Sequence, residues 1–262
     1  MNSYKRAAGF WLVAACLMLT QAGPAAAQGT GVDFGRVDAL FADWSKPGTP
    51  GCALGVIKDG KLIYSRGYGL ANLEHNIPIS AATVFDIGST SKQFTAASIV
   101  LLAQQGTLSL EDDVRKLIPE LPDYGRKITI RHLLNHTSGI RDYLGLMSLS
   151  GINFDDTTGD EEALKLIIRQ KALNFEPGSE FLYSNSGYFL LSVLVRRASG
   201  KTLRQFAEER IFAPLGMKNT HFHDSHTMIV QNRATGYSAD GPGAFRIDMS
   251  NFEQTGDGAV YT

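Results

Sequence analysis

Ser89-Thr90-Ser91-Lys92 stands between the apolar stretch Val84 to Gly88 and the apolar run Phe94 to Leu102. On a helix, residues three apart lie one turn apart on the same face, so a helix starting near Ser89 brings the Lys92 amine within reach of the Ser89 hydroxyl. A neutral lysine can take the proton of such a serine. The positive end of the helix favours an alkoxide at Ser89 and a neutral amine at Lys92, which makes the pair a candidate nucleophile and base. Nineteen serines and eleven lysines among 262 residues give about one such spacing by chance, which is the number present. A second group, Tyr183-Ser184-Asn185, is the only Y-x-N of the chain; it follows Glu176-Pro177-Gly178-Ser179 and precedes a helical run from Tyr188 to Arg197. That places Tyr183 on a tight loop before a helix. A phenol near a lysine can pass a proton to a leaving group, and a nearby carboxamide can hold a substrate amide. The competing expectation is a surface turn in which Asn185 caps the helix and Tyr183 packs.

The two motifs, in this order and about ninety residues apart, resemble the serine β-lactamase and penicillin-binding-protein superfamily. The resemblance is nearest to its branch of class C β-lactamases, D-alanyl-D-alanine carboxypeptidases and esterases. Supporting phrases are Phe85-Asp86-Ile87-Gly88-Ser89, Leu133-Leu134-Asn135-His136-Thr137-Ser138-Gly139-Ile140 and Phe181-Leu182-Tyr183-Ser184-Asn185-Ser186-Gly187-Tyr188, with Pro214-Leu215-Gly216-Met217 and Asn232-Arg233-Ala234 later. The resemblance implies Ser89 as the acylated nucleophile, Lys92 and Tyr183 as the proton-transfer pair, and Asn185 as a substrate-binding amide. It implies no cofactor and no metal. It also implies an α+β fold, an antiparallel sheet built from both ends of the chain with a helical region inserted between.

The family's third motif, Lys or His, then Thr or Ser, then Gly, lies on a late strand that lines the pocket and lends a backbone N–H to the oxyanion hole. Ala234-Thr235-Gly236 has the wrong first residue and place, and the chain closes on Gly256-Asp257-Gly258-Ala259-Val260-Tyr261-Thr262. The sequence is therefore expected to be a C-terminally truncated member with its late sheet strands missing. Two functional expectations follow. One is an exported serine hydrolase forming an acyl-enzyme on an amide or ester, whether β-lactam, D-Ala-D-Ala peptide or small ester; the other is a catalytically silent fragment or a binding remnant without turnover.

The elements that must position these residues begin after a leader. Lys5 and Arg6, an apolar stretch from Ala7 to Leu19 and Ala25-Ala26-Ala27 before Gln28 read as a signal peptide over 1–27, leaving 28–262 as one domain. The stretch is shorter than the roughly 20 apolar residues of a membrane span, so none is expected after cleavage, and the location is periplasmic or secreted. Without the leader the formal charge of −1 becomes −3, which attracts neither nucleic acid nor an anionic membrane. The expected partner is a small-molecule or peptide substrate. Cleavage leaves Cys52 as the only cysteine, which excludes an internal disulfide; in its apolar run it reads as a buried small side chain.

A short helix is expected from about Phe34 to Trp44, then two strands, Gly51 to Lys58 and Lys61 to Gly69, joined by the two-residue turn Asp59-Gly60. Helices are expected near Ser91 to Gln105, Leu110 to Leu117, Ile130 to Asn135, Glu161 to Arg169, Gly187 to Arg197 and Leu203 to Ile211, with no further strand pair. Two other groups could carry chemistry. His221-Phe222-His223-Asp224-Ser225-His226 could ligate zinc, but the segment reads as a solvated loop. His136-Thr137-Ser138-Gly139 reads as a turn ending the preceding helix. No G-x-S-x-G, P-loop or dinucleotide fingerprint occurs.

Overall fold

A computed structural model describes residues 33–262; the expected signal peptide lies outside them. Helix α1 spans Phe34–Leu40 and is capped by the Asp33 carboxylate, which accepts from the Gly35 N–H at 3.0 Å. It stops earlier than the sequence pattern suggests, because Phe41 turns out of the helix and stacks on Tyr68 at 4.6 Å, leaving Ala42–Ser45 as a separate 3-10 turn. Strands β1, Cys52–Lys58, and β2, Lys61–Tyr68, form the expected antiparallel hairpin. Asp59 and Gly60 both have positive φ, 51° and 71°, as a two-residue turn matched to the strand twist requires. Cys52 is half-buried and free, and burial pushes its thiol pKa up, away from reactivity.

The helical region is built around α6, Asn185–Ser199, in which every residue from Ser186 to Val195 is buried. Such a helix is a core helix and not a surface one. Against it pack α2, Lys92–Gln104; α3, Ile130–Leu134; α4, Tyr143–Leu149; and α7, Leu203–Ala207, which runs into a π turn at Glu208–Phe212. Helix α5, Asp160–Ile168, packs on α4.

Three expectations are corrected. The segment from Leu110 to Leu117 is no helix: its backbone bonds across to residues 128–131, as in Val114 N–H to the Ile128 carbonyl at 2.9 Å, leaving one 3-10 turn at Val114–Lys116. Helix α4 was not expected. Among the described residues three strand pairs stand beside the hairpin: β3, Leu70–Asn72, with β4, Ile77–Pro78; β5, His221–Phe222, with β8, Val260–Tyr261; and β6, Tyr237–Ala239, with β7, Phe245–Ile247. Pairs of two or three residues are too short to show an alternating pattern. Among the described residues β1 and β2 pair only with each other, and no helix is long and apolar enough to cross a membrane.

Candidate active site

Gly88–Ser91 forms a 3-10 turn that runs directly into α2, so Ser89 precedes the helix and Lys92 is its first residue. The spacing does what one helical turn should: Lys92 Nζ donates to Ser89 Oγ at 3.1 Å. Tyr183 arrives from the loop before α6 and donates its phenol O–H to the same Ser89 Oγ at 2.8 Å. Asn185 is the first residue of α6, and its Oδ1 accepts from Lys92 Nζ at 3.0 Å. All four residues singled out in the sequence thus meet. Asn185 is not the helix cap; Ser184 occupies that position, and the carboxamide faces the lysine. Lys92 Nζ also lies 4.9 Å from the centre of the Tyr183 ring and 5.5 Å from that of Tyr188, distances at which an ammonium is attracted to the ring face.

Lys92 is buried, 7% exposed, and donates to a third oxygen, the main-chain carbonyl of Asp257. The segment carrying that carbonyl is bolted to α2. Val260 N–H donates to Ser91 Oγ at 2.9 Å and Thr95 Oγ1 donates to the Gly256 carbonyl at 2.8 Å. Gly256 has φ of 111°, and a Cβ there would lie 2.5 Å from the Tyr188 carbonyl oxygen, so glycine alone allows this approach. Burial pushes the Asp257 carboxyl up to about 6, against the opposing pull of Lys92 and of the Tyr143 hydroxyl, which donates to Asp257 Oδ2 at 2.9 Å. His136, at φ 58°, stacks its ring on Tyr183 at 4.5 Å and 28°, and its Nδ1 accepts from the Ser184 N–H at 3.2 Å. Burial, then the Lys92 charge, lowers its pKa, consistent with a neutral acceptor ring.

The sequence reading did not include His136, Tyr143 or Asp257 in the site. His136 lies in a phrase that carries the family resemblance, where its spacing indicates only a turn; nothing local marks the other two. Ser89, Asn185, Tyr143 and Asp257 line a cavity of about 200 Å³ together with Phe154 and Phe252. A neighbouring hollow of about 380 Å³ shares Asp86, Ser250 and Tyr261 with it and holds Ala234, Thr235 and Gly236, which do not line the cavity at Ser89. The histidine segment is not a solvated loop throughout, since Phe222 and His223 are buried and His223 packs on Tyr261 at 4.4 Å. Asp224 pairs with Arg204, and His226 with Glu253.

This arrangement of helices and short antiparallel strands is the α+β fold of the penicillin-binding proteins. The octameric penicillin-binding-protein homologue from Pyrococcus abyssi superposes with a TM-score of 0.78 at 30% identity, over 88% of this chain and 54% of that one. The D-amino acid amidase from Ochrobactrum anthropi SV3, complexed with D-phenylalanine, gives 0.73 at 25%, over 87% and 65%. The family described as Beta-lactamase matches residues 37–262, and the chain belongs to that family. Penicillin-binding protein 4* of Bacillus subtilis (strain 168) is 36% identical over 165 residues, 63% of this chain and 36% of that protein. A D-aminopeptidase of Gluconobacter oxydans (strain 621H) is 31% identical over 211 residues, 80% and 39%. The chain spans less than half the length of these curated relatives.

Proposed function

We propose that this chain carries the acylating centre of an exported serine hydrolase, with residues 28–262 as its domain and cleavage before Gln28. The observation that carries the proposal is the meeting at Ser89 Oγ of Lys92 Nζ at 3.1 Å and the Tyr183 hydroxyl at 2.8 Å. Ser89 Oγ attacks the carbonyl carbon of an amide or ester as its proton passes to Lys92 in the neutral amine form or to Tyr183 in the phenolate form, whichever of the pair has first given up the proton it donates at rest. The tetrahedral adduct collapses as the bond to the leaving amine or alcohol breaks, and that group departs with a proton returned by the pair. Water then attacks the acyl ester and loses a proton to the same pair; the bond from the acyl carbon to Ser89 Oγ breaks, the carboxylic acid leaves, and Oγ takes that proton back. Asn185 holds the substrate amide and, through Oδ1, fixes Lys92. The substrate classes are D-Ala-D-Ala-type peptides, D-amino-acyl amides, β-lactams and small esters; the likeness to D-aminopeptidases and a D-amino acid amidase favours the second.

A second reading, acylation without turnover, is favoured by one observation: among the described residues no strand carrying Lys or His, Thr or Ser, and Gly lines the cavity at Ser89. One experiment addresses both readings. The secreted protein is incubated with a D-amino-acyl p-nitroanilide and with a fluorescent penicillin, and the Ser89 peptide is followed by mass spectrometry. Hydrolysis begins with an adduct at Ser89 that disappears once free probe is removed. A persistent adduct supports the second reading, and no adduct with either probe sinks both.

A further inference from the structure

Two of the three oxygens that receive Lys92 Nζ are held from a single place. Asp142, the cap of α4, accepts the backbone N–H of Asn185 through Oδ2, and through Oδ1 the N–H groups of Leu144 and Gly145 at 3.1 and 3.2 Å. Asn185 supplies the carboxamide acceptor. The next residue, Tyr143, donates its hydroxyl to the Asp257 carboxyl at 2.9 Å, and Asp257 supplies the main-chain acceptor. Tyr143 N–H also donates to Ser186 Oγ at 2.8 Å, tying this corner to the first turn of α6. The Tyr143 ring is 2% exposed and packs on Phe189 of α6 at 5.5 Å between centres. Its hydroxyl therefore sits on a rigid mount. Neither Asp142 nor Tyr143 has a hydrogen bond to Ser89 or to Lys92; they reach the lysine through what they hold.

We propose that Asp142 and Tyr143 are positioning residues that set Lys92 beside Ser89, one through Asn185 and the other through Asp257. The inference rests on the acylating role given to Ser89 and Lys92 above. A proton acceptor displaced by about 1 Å can lose on the order of a hundredfold in rate, so the seat of the lysine matters to the chemistry as well as to the fold.

The test is Tyr143→Phe, which keeps the ring and removes the hydroxyl. Two quantities are read on the full chain: the rate at which p-nitrophenyl acetate acylates Ser89, and the rate at which acetic anhydride modifies Lys92, scored on its peptide. The expected result is acylation slowed about tenfold or more with half-saturation within about twofold, and Lys92 modified severalfold faster. Asp257→Ala should give the same pair of changes. The double variant should acylate no more slowly than the slower single one, since both cut one linkage. Acylation and lysine modification at parent rates in a folded Tyr143→Phe chain overturn the Tyr143 arm, and parent rates in a folded Asp142→Ala chain, which loses the hold on the Asn185 N–H, overturn the other. Where Tyr143→Phe does not fold, Asp257→Ala alone decides by the same two rates. A parent chain that no probe acylates removes the proposed function, and the Lys92 modification rates then decide the inference by themselves.

Discussion

Replacing Ser89 by alanine deletes one hydroxyl that accepts from two donors, so it should abolish covalent labelling and leave the thermal midpoint nearly unchanged. Lys92→Ala removes the proposed proton carrier and should slow acylation by about 10²- to 10⁴-fold. Tyr183→Phe keeps the stack on His136 and the ring face offered to Lys92, so any loss of rate reports the phenol O–H alone. Acylation rates and melting curves of the three variants check these outcomes. A Lys92→Ala chain that acylates at the parent rate removes the lysine from the mechanism. At this scale the sequence was informative where the geometry is local: Ser89 and Lys92 are one turn apart whatever else the chain does. Tyr183 and Asn185 needed the family resemblance. Tyr143 and Asp257 were out of reach, because their bond joins residues 114 positions apart and leaves no spacing to recognise.

At the scale of elements, the site is a junction of three segments: the turn before α2, the start of α6, and residues 256–260. The third segment depends on Gly256. Gly256→Ala places a methyl 2.5 Å from the Tyr188 carbonyl oxygen at a φ of 111°, and backbone with its bonds to Thr95 and Lys92 must move. The variant should lose about 1 to 3 kcal/mol of stability and lose acylation with it. Urea melts and labelling measure the two effects; a variant with parent values of both shows that the segment yields freely. The longer helices α2 and α6 were legible because apolar residues recur over three or four turns. Helix α4 is only seven residues long, too short for its apolar spacing to stand out, and its cap Asp142 gives no signal strong enough to mark it alone. The strands β5 to β8 were hidden by their brevity; β5 and β8 also exist only through pairing with each other across a long stretch of chain, whereas β6 and β7 form a local hairpin of three residues a side.

For the whole molecule, two buried groups with large shifts, among several that are shifted, contribute acid-dependent stability of opposite sign. His223 is pushed down to about 4, mainly by burial and then by Arg233, from an ordinary 6.5. Between those values the unfolded chain binds more protons, so the contribution of His223 is present above about 6.5 and is lost as the pH falls through about 4. Asp257 is pushed up to about 6 from an ordinary 3.8, so its contribution is present at low pH and is lost as the pH rises through about 6. Each shift corresponds to about 3 kcal/mol, and over pH 4 to 6 the two oppose. Asp257→Asn keeps an acceptor for Tyr143 and removes the titration. Its thermal midpoint should therefore fall more steeply than the parent's between pH 6.5 and 4. Parallel curves would show that Asp257 does not titrate in that window.

The carbonyl that receives Lys92 belongs to a residue 165 positions further along the chain. Synthesis at about 5 to 20 residues per second separates the two by on the order of ten seconds or more. Throughout that interval the serine and its lysine already exist, in adjacent turns, but the oxygen that steadies the amine does not. On the proposed role of Ser89, the nascent protein therefore carries its serine without this hold on the amine until residues 256–260 leave the ribosome and dock against α2.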